Sequence, residues 1–268
     1  MRTAHGEADL RELLVERSLS GNIRTTRRQS LAYALKMLAG DPDNTFGLQD
    51  WRTATVDEVV AAVDAGIGDR ITHGDPHLGY IAPENTLAGI RAHADALAPF
   101  LRDGGGAVLL ATGHPTGLLD HYAELARALR IAGNRIVRVL DDHRLDLAVG
   151  VHSAGESGIR FFGGAGCAFQ DEAILHTHRP EYMEAMIAAA ADDGVRIDLV
   201  IADHGMAGAA IAAGLNTLSI ADANDIALFL ARSRGRHDPV LPIEDNFTPA
   251  EFAPVTEFML RRAAGIAV

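Results

Sequence analysis

A strand, a glycine-rich turn and a helix follow one another between residues 107 and 129, and this succession limits the chain to a few fold classes. Residues 107–111 (AVLLA) are a short apolar run of the kind that forms a buried strand. Four apolar residues then recur with the spacing of one helix face: Leu118, Tyr122, Leu125 and Leu129. The turn between them, residues 112–117 (TGHPTG), directs backbone N–H groups above the sheet edge, where a helix dipole attracts anions. We therefore expect an anion site here, at the floor of a site for a phosphorylated small molecule.

Short apolar runs and helical patterns alternate throughout the rest of the chain after Gly106. The remaining strands are predicted at residues 136–140, 147–151, 159–162, 173–175, 197–202, 216–220 and 240–243. Residues 163–166 (GGAG) are expected to form a flexible turn, and residues 153–158 the turn of a hairpin. This alternation predicts an α/β fold with a Rossmann-like, mostly parallel sheet flanked by helices.

Residues 1–105 have a different pattern, which is mostly helical. Helices are predicted from near Leu10, at 25–38, after a capping box at residues 55–58, and at 84–101. The glycine run at 104–106 is the candidate boundary. We expect a helical N-terminal part or cap, residues 1–105, and an α/β core, residues 106–268, unless the two form one integrated domain.

Composition narrows the classes of partner. The chain has 24 basic and 36 acidic residues, a net charge of −12, which argues against a broad surface for nucleic acid or anionic membranes. Its one cysteine, Cys167, cannot form an internal disulfide, and the N-terminus has no apolar stretch typical of a signal peptide. We expect a soluble cytoplasmic protein, with a homodimer as the default oligomeric state.

Polar clusters follow four of the predicted strands. They occupy residues 112–117, 176–179, 203–205 and 222–225. In open α/β sheets, ligands bind beyond the carboxyl ends of the strands. The four clusters are therefore expected to meet at one edge.

His176 and His178 are two residues apart in an extended segment, so their side chains point to the same side. Such a pair can hold a transition metal, with Asp203 or His204 completing the ligand set. One histidine can instead act as general acid to a leaving alkoxide. A third interpretation is structural, with both rings satisfied by backbone groups and helix caps.

The other candidates allow similar alternatives. Asp203 can bind Mg²⁺, orient a histidine or attack phosphorus, or it can cap the helix that follows. Asp222 and Asp225 have the same ambiguity, and Asn224 is interpreted as a cap for the next helix. His114 lies inside the turn, where it can neutralise a phosphoryl oxygen, accept the phosphoryl group, or pack against Pro115. Arg27 or Arg28 can reach over the site to hold phosphate, or belong to a solvated helix face.

Several familiar signatures are missing from the sequence. It contains no G-x-x-x-x-G-K-[ST], no G-x-G-x-x-G and no G-x-S-x-G. The D-x-D-x-[TV] of haloacid-dehalogenase phosphatases and the R-H-G of histidine phosphatases are missing as well. We therefore predict no nucleotide cofactor.

Four motifs carry a resemblance to a known group. A-T-G-H-P-T-G-L-L-D-H-Y (111–122), H-T-H-R-P (176–180), I-A-D-H-G (201–205) and I-A-D-A-N-D (220–225) resemble a group of actinobacterial proteins labelled phosphatases. The likeness covers most of the chain, and it implies hydrolysis of phosphomonoesters.

The leading prediction is a phosphatase acting on a small phosphorylated metabolite, assisted by a divalent metal, Mg²⁺ or Zn²⁺. The predicted catalytic residues are His114, His178, Asp203 and His204. The predicted phosphate-binding residues are Thr112, Gly113, Thr116, Gly117, His176, Arg179 and Arg28. The predicted metal ligands are Asp203, His178 and Asp222. The alternatives are an isomerase or lyase on a phosphorylated sugar or nucleotide, and a non-catalytic regulatory protein that binds a phosphorylated ligand.

Overall fold

The structure is a computed structural model that describes residues 6–145, 157–171 and 173–266. Its α-helices are α1 (Glu7–Glu16), α2 (Arg27–Leu38), α3 (Pro42–Thr45), α4 (Val56–Ile67), α5 (Pro83–Asp103), α6 (Pro115–Ile131), α7 (Glu181–Asp192), α8 (His204–Ala212), α9 (Ile226–Ser233) and α10 (Pro249–Ala263). A 3₁₀ turn spans Asp50–Thr53. The strands are β1 (Gly21–Ile23), β2 (Gly79–Ile81), β3 (Ala107–Thr112), β4 (Arg135–Ile136), β5 (His143–Leu145), β6 (Ser157–Phe162), β7 (Ala165–Gln170), β8 (Ala173–Ile174), β9 (Leu199–Asp203), β10 (Thr217–Ala221) and β11 (Val240–Pro242).

A central, mostly parallel sheet organises these elements. Its strand order is β11-β10-β9-β3-β7-β6-β5, with β4 beside β3 and β8 beside β7. The pairs from β11 across to β7, and β3 with β4, are parallel, whereas β5, β6 and β8 are added antiparallel. Strands β1 and β2 form a separate antiparallel pair. The prediction of a mixed α/β fold with a mostly parallel sheet flanked by helices is therefore confirmed.

Both faces of the sheet are covered by apolar side chains. Leu109 and Ala111 of β3 belong to one hydrophobic cluster, together with residues of α2, α4, α7, α8 and α9. Val108 and Leu110 belong to a second cluster, together with residues of α1, α5, α6 and α10. Strands buried on both faces have continuous apolar sequences, which is why β3 and β9 were recognisable. The division at residue 105 stays a prediction.

The strand register aligns the ends that matter for function. Ala111 of β3 pairs with Ala202 of β9, so the residues that follow, Thr112 and Asp203, are neighbours at the carboxyl edge. Ile220 of β10 pairs with Asp203 from the other side.

Three local predictions were wrong or shifted. The predicted flexible turn at 163–166 contains the start of β7, whose small residues Ala165, Gly166 and Cys167 gave little strand signal yet are buried. The strand predicted at 136–140 is limited to Arg135–Ile136. The helix that was predicted to follow the turn at residues 112–117 begins inside that turn, at Pro115, because proline is well suited to the first helical position. The strand predicted at 147–151 and most of the turn at 153–158 lie outside the described residues.

In the part of the chain that the structure describes, no helix combines the length and the apolar character required to cross a membrane.

Candidate active site

Four histidine side chains meet above the carboxyl edge of the sheet. His114 and His176 stack with ring centroids 4.4 Å apart, and His178 and His204 are 4.5 Å apart. His176 connects the two pairs, because its ring centroid lies 5.4 Å from that of His204. They come from the end of β3, the segment before α7 and the start of α8. The residues therefore converge although up to 90 positions separate them in sequence.

Buried aspartates surround this histidine cluster. Asp245 Oδ2 lies 3.1 Å from His114 Nδ1 and 3.2 Å from His204 Nε2. Asp225 Oδ1 is 3.5 Å from His204 Nε2, and Asp203 Oδ1 is 3.5 Å from His204 Nδ1. His204 is therefore surrounded by three carboxylates.

A second group of carboxylates extends the site toward the N-terminal segment. Asp222, Glu244 and Asp245 offer oxygens within 4.8 Å of one another, and all three residues are buried. Thr25 donates its hydroxyl proton to Asp222 Oδ2, and Ala223 N–H donates to Asp222 Oδ1 over 2.6 Å. Glu244 Oε2 accepts hydrogen bonds from the backbone N–H groups of Arg24 and Thr25, over 2.8 and 3.1 Å. Strand β1 thus leads directly into the site.

Backbone geometry fixes His204 at the start of α8. Its φ is +46°, in the left-handed region that is costly for a residue with a Cβ atom. Gly205 follows, and a Cβ there would lie 2.1 Å from the carbonyl oxygen of His178. The D-H-G motif therefore allows the 176–179 segment to approach α8 closely enough for the rings to meet.

The T-G-H-P turn holds Asp203 in this structure. Gly113 N–H donates to Asp203 Oδ1 over 2.7 Å, and His114 N–H donates to the Thr112 hydroxyl oxygen over 2.9 Å. A Cβ on Gly113 would lie 2.3 Å from the Thr177 carbonyl oxygen. Two of the N–H groups that were expected to face an anion are therefore engaged within the protein, and the phosphate-binding role of Thr112 and Gly113 stays a prediction.

The charges of the central residues are set by their contacts. Burial opposes a charge on His204, but Asp225, Asp245 and Asp203 outweigh it and raise the pKa of His204 to about 10. The same balance between burial and Asp245 raises the pKa of His114. Burial opposes ionisation of Asp245, yet its contacts with His114 and His204 lower its pKa far below the ordinary value. Asp245 therefore lies between two imidazoles whose pKa values it raises.

The pKa values of the other two histidines, His176 and His178, shift in the opposite direction. Burial, together with the nearby charge of His204, lowers the pKa of His176 to about 4 and that of His178 to about 3. Both rings are neutral at neutral pH. Burial raises the pKa of Asp203, and it raises that of Asp225 to about 7.

The donor set could hold a metal ion. Three overlapping groups have ligand atoms within 4.8 Å of one another: His114, His176 and His204; His204, Asp225 and Asp245; Asp222, Glu244 and Asp245. In the described residues, several buried atoms of these groups lack a hydrogen-bond partner: His114 Nδ1, His204 Nδ1, Asp245 Oδ2 and Glu244 Oε1. Unpartnered buried polar atoms are costly unless a ligand engages them, and imidazoles and carboxylates are ordinary metal ligands.

Of the three predicted metal ligands, Asp222 belongs to one of these groups. Asp203 and His178 belong to none of them in the described part of the chain. Asp203 Oδ1 accepts from Gly113, and His178 Nδ1 lies 2.9 Å from the Asp43 carbonyl oxygen.

The predicted phosphate-binding residues are distributed unevenly. Thr116 is exposed in the first turn of α6, whereas Gly117 is buried against the loop that carries Asp245. Arg179 pairs with Glu181 and lies 3.9 Å from Asp43, so its guanidinium is engaged by carboxylates of the protein. Arg28 is exposed near the start of α2, and within the described residues its side chain makes no hydrogen bond or ion pair to the histidines or carboxylates of the site.

Sequence reasoning missed Glu244, Asp245 and Thr25. The first two directly follow the predicted strand at 240–243, so the strand-end rule that found the other clusters also applies to them. Thr25 gave no such signal, because its contact with Asp222 joins residues 197 positions apart.

The fold and the site define an α/β protein with a buried histidine–carboxylate centre at the carboxyl edge of a parallel sheet. A family model described as Phosphatase matches residues 5–267, and the chain belongs to this family. Phosphatase SCO2771 of Streptomyces coelicolor is 33% identical over 263 residues, which cover 96% of this chain and 95% of the relative. No solved structure matches the chain with statistical significance. The predicted relationship to actinobacterial phosphatases is thus confirmed at the level of the family.

Proposed function

We propose that this phosphatase hydrolyses a phosphomonoester of a small metabolite at the histidine–carboxylate centre, with a divalent cation bound there. The observation that carries the proposal is the convergence of four histidines and three aspartates at the carboxyl edge, where open α/β sheets bind their ligands. Phosphoryl transfer depends on positioning and on neutralising charge rather than on covalent chemistry by the protein. A dense, pre-formed set of donors fits that requirement.

The residues that would hold the cation are those with buried, unpartnered donor atoms, centred on His204 and Asp245. When bound, a divalent cation neutralises phosphoryl oxygens as a Lewis acid. Imidazole ligands favour Zn²⁺, and carboxylate ligands favour Mg²⁺ or Mn²⁺.

Substrate would enter beside His176, the exposed member of the histidine cluster. Its ring stacks on His114, and the exposed Thr116 lies two residues further along, in the first turn of α6. The first N–H groups of a helix have no intrahelical acceptor. The Thr116 N–H can therefore donate to a phosphoryl oxygen held beside His176.

His178 is suited to orient the attacking water. Its Nδ1 faces the Asp43 carbonyl oxygen, which can only accept, so the proton of the neutral ring resides on Nδ1. Its Nε2 is then an acceptor, and it faces His176 Nε2 at 3.2 Å. We assign to water the place of His176 Nε2 at this contact when substrate is bound, so that His178 Nε2 accepts a hydrogen bond from water directed at phosphorus.

Asp203 and Asp245 act as positioning residues. Asp203 links the T-G-H-P turn to His204, and Asp245 joins His114 to His204. Both hold imidazoles in place without being exposed to solvent, since Asp203 and Asp245 are 0% and 5% exposed.

The test is phosphate release from a panel of sugar phosphates, nucleoside monophosphates and a chromogenic aryl phosphate. Pure protein is treated with EDTA, dialysed, and supplied with Mg²⁺, Mn²⁺ or Zn²⁺. We expect release that EDTA abolishes and one of the cations restores. Binding of phosphosugars or nucleotides without release under every condition would contradict the proposal and favour a regulatory protein.

A further inference from the structure

The three overlapping ligand groups suggest more than one bound ion. His204 belongs to the histidine group and to the middle group, whereas Asp245 belongs to the middle group and to the carboxylate group. Ligands on opposite sides of a single cation are about 4 to 5 Å apart, given bond lengths of about 2.0 to 2.5 Å. Each group of three fits that limit separately, because its ligand atoms lie within 4.8 Å of one another.

Among the described residues of the carboxylate end, only Asp245 has cationic partners, which are the imidazoles of His114 and His204. In the described part of the chain, no lysine or arginine forms an ion pair with Asp222, Glu244 or Asp245. The partners of Asp222 and Glu244 are a hydroxyl and backbone N–H groups. Buried charges are ordinarily paired or coordinated to a metal.

Unpartnered atoms give a second, independent observation at this end. Glu244 Oε1 is buried and has no hydrogen-bond partner in the described residues, and Glu244 as a whole is 0% exposed. Asp245 Oδ2, in a residue 5% exposed, contacts the imidazoles of His114 and His204 over 3.1 and 3.2 Å. Glu244 Oε1 is therefore the oxygen that is available as a ligand without breaking an existing contact.

We propose that the centre holds two divalent cations, one on His114, His176 and His204 and one on Asp222, Glu244 and Asp245. The inference deepens the proposed function by resolving its cation into a pair, and it rests on that function only for the use made of the ions. Asp225 contacts His204, a ligand of the histidine site, and has a ligand atom within 4.8 Å of Asp245, a ligand of the carboxylate site. The histidine site takes a borderline ion such as Zn²⁺, and the carboxylate site takes a hard ion such as Mg²⁺ or Mn²⁺.

The division of roles follows from exposure. The histidine site reaches solvent through His176, so its ion would face the phosphoryl group. The carboxylate site is enclosed by β1 and the loop after β11, so its ion would stay resident. Removal of the two ions by chelator should therefore be biphasic.

Mn²⁺ is the best probe because it accepts both kinds of ligand. Metal-free full-length protein is titrated with Mn²⁺, and bound metal is counted by equilibrium dialysis with elemental analysis. We expect two ions per chain and, in the electron paramagnetic resonance spectrum, a signal from coupled Mn²⁺ ions. One ion per chain, or none, would overturn the proposal.

Variants assign the sites. Glu244→Gln is expected to reduce the stoichiometry from two to one, and His176→Asn is expected to do the same from the other end. Asp120→Asn changes an exposed carboxylate on α6 and should keep both ions. Retention of two ions in both site variants would overturn the assignment. If two ions bind but no phosphate is released from any substrate, the proposed function fails and the two-ion site stands.

Discussion

At the scale of single residues, the site is defined by the partners of each imidazole. His204 is surrounded by three carboxylates, whereas His178 faces a backbone carbonyl oxygen and a second imidazole. The same residue type therefore serves as a charged centre in one position and as a neutral acceptor in the other. Neither role could be read from sequence, because both depend on contacts between distant segments.

The first prediction concerns His178. We expect His178→Asn to lower kcat by about 10²- to 10³-fold, because asparagine does not reproduce the ring acceptor assigned to the attacking water. The free energy of unfolding should change little, since the ring is only partly buried. The measurement is steady-state phosphate release together with urea unfolding.

The matched control is His77→Asn, which changes an exposed loop histidine outside the site. It should retain full activity. A kcat within about twofold of wild type for His178→Asn would remove this residue from the mechanism.

A second prediction at this scale concerns Asp203. Asp203→Asn keeps an oxygen acceptor for the Gly113 N–H but loses the charge beside His204. We expect a large loss of kcat, a smaller change in KM, and a shift in the acid limb of the pH–rate profile. An unaltered pH profile with reduced kcat would indicate a merely structural role.

At the scale of elements, two glycines determine how closely the segments approach. Gly113 and Gly205 flank the 176–179 segment from β3 and α8. The sequence predicted both strand ends and placed polar clusters after them, so the convergence of these side chains at one edge of the sheet was predictable. The close approach of the 176–179 segment to these two glycines could not be predicted, because it depends on the positions of carbonyl oxygens in a segment without regular structure.

We predict that Gly205→Ala destabilises the protein and abolishes activity. Helix propensity alone would make alanine more stable than glycine by about 1 kcal/mol. The Cβ would lie 2.1 Å from the His178 carbonyl oxygen, and overpacking of this kind costs about 1 to 3 kcal/mol. Thermal unfolding and phosphate release measure the two effects.

Ala212→Gly, at the exposed end of the same helix, is the complementary variant. It should lower stability by about 1 kcal/mol or less and leave activity intact. An increase in melting temperature for Gly205→Ala would show that the segment can move without cost.

At the scale of the whole molecule, the fold was the most predictable property and the small residues were its main obstacle. Apolar runs buried on both faces identified β3, β9 and β10. Strand β7 was mistaken for a turn because Gly163, Gly164 and Gly166 surround its start, although only the first two form the turn. The antiparallel addition of β5, β6 and β8 depends on pairings that no local pattern specifies.

Buried histidines outside the site predict how stability depends on pH. Burial lowers the pKa of His93 to about 4, of His121 to about 3 and of His237 to about 4. Their pKa in the unfolded chain is about 6.5, so below that pH the unfolded state binds more protons. Their contribution to stability is therefore complete above about pH 6.5 and decreases as the pH falls toward 4. At about pH 5, each of these histidines should lower the free energy of unfolding by on the order of 1 to 2 kcal/mol relative to neutral pH.

The measurement is urea unfolding at about pH 7.5 and about pH 5 for wild type and His121→Leu. Because the raised pKa values of Asp203 and Asp225 act in the opposite direction, the informative quantity is the difference between the two proteins. The variant should lose less stability on acidification. Equal losses in both proteins would contradict the assignment, and His77→Asn should behave like wild type.

The hydrogen bonds from Arg24 and Thr25 to Glu244 make the site depend on the N-terminal segment of the chain. They connect the residues directly after β1 to an acidic residue more than 200 positions away, inside the candidate active site. A truncated chain that begins after residue 25 would leave that carboxylate without these two donors even if the sheet assembled. We therefore expect removal of this short N-terminal segment to disturb the candidate site as well as the β1–β2 pair.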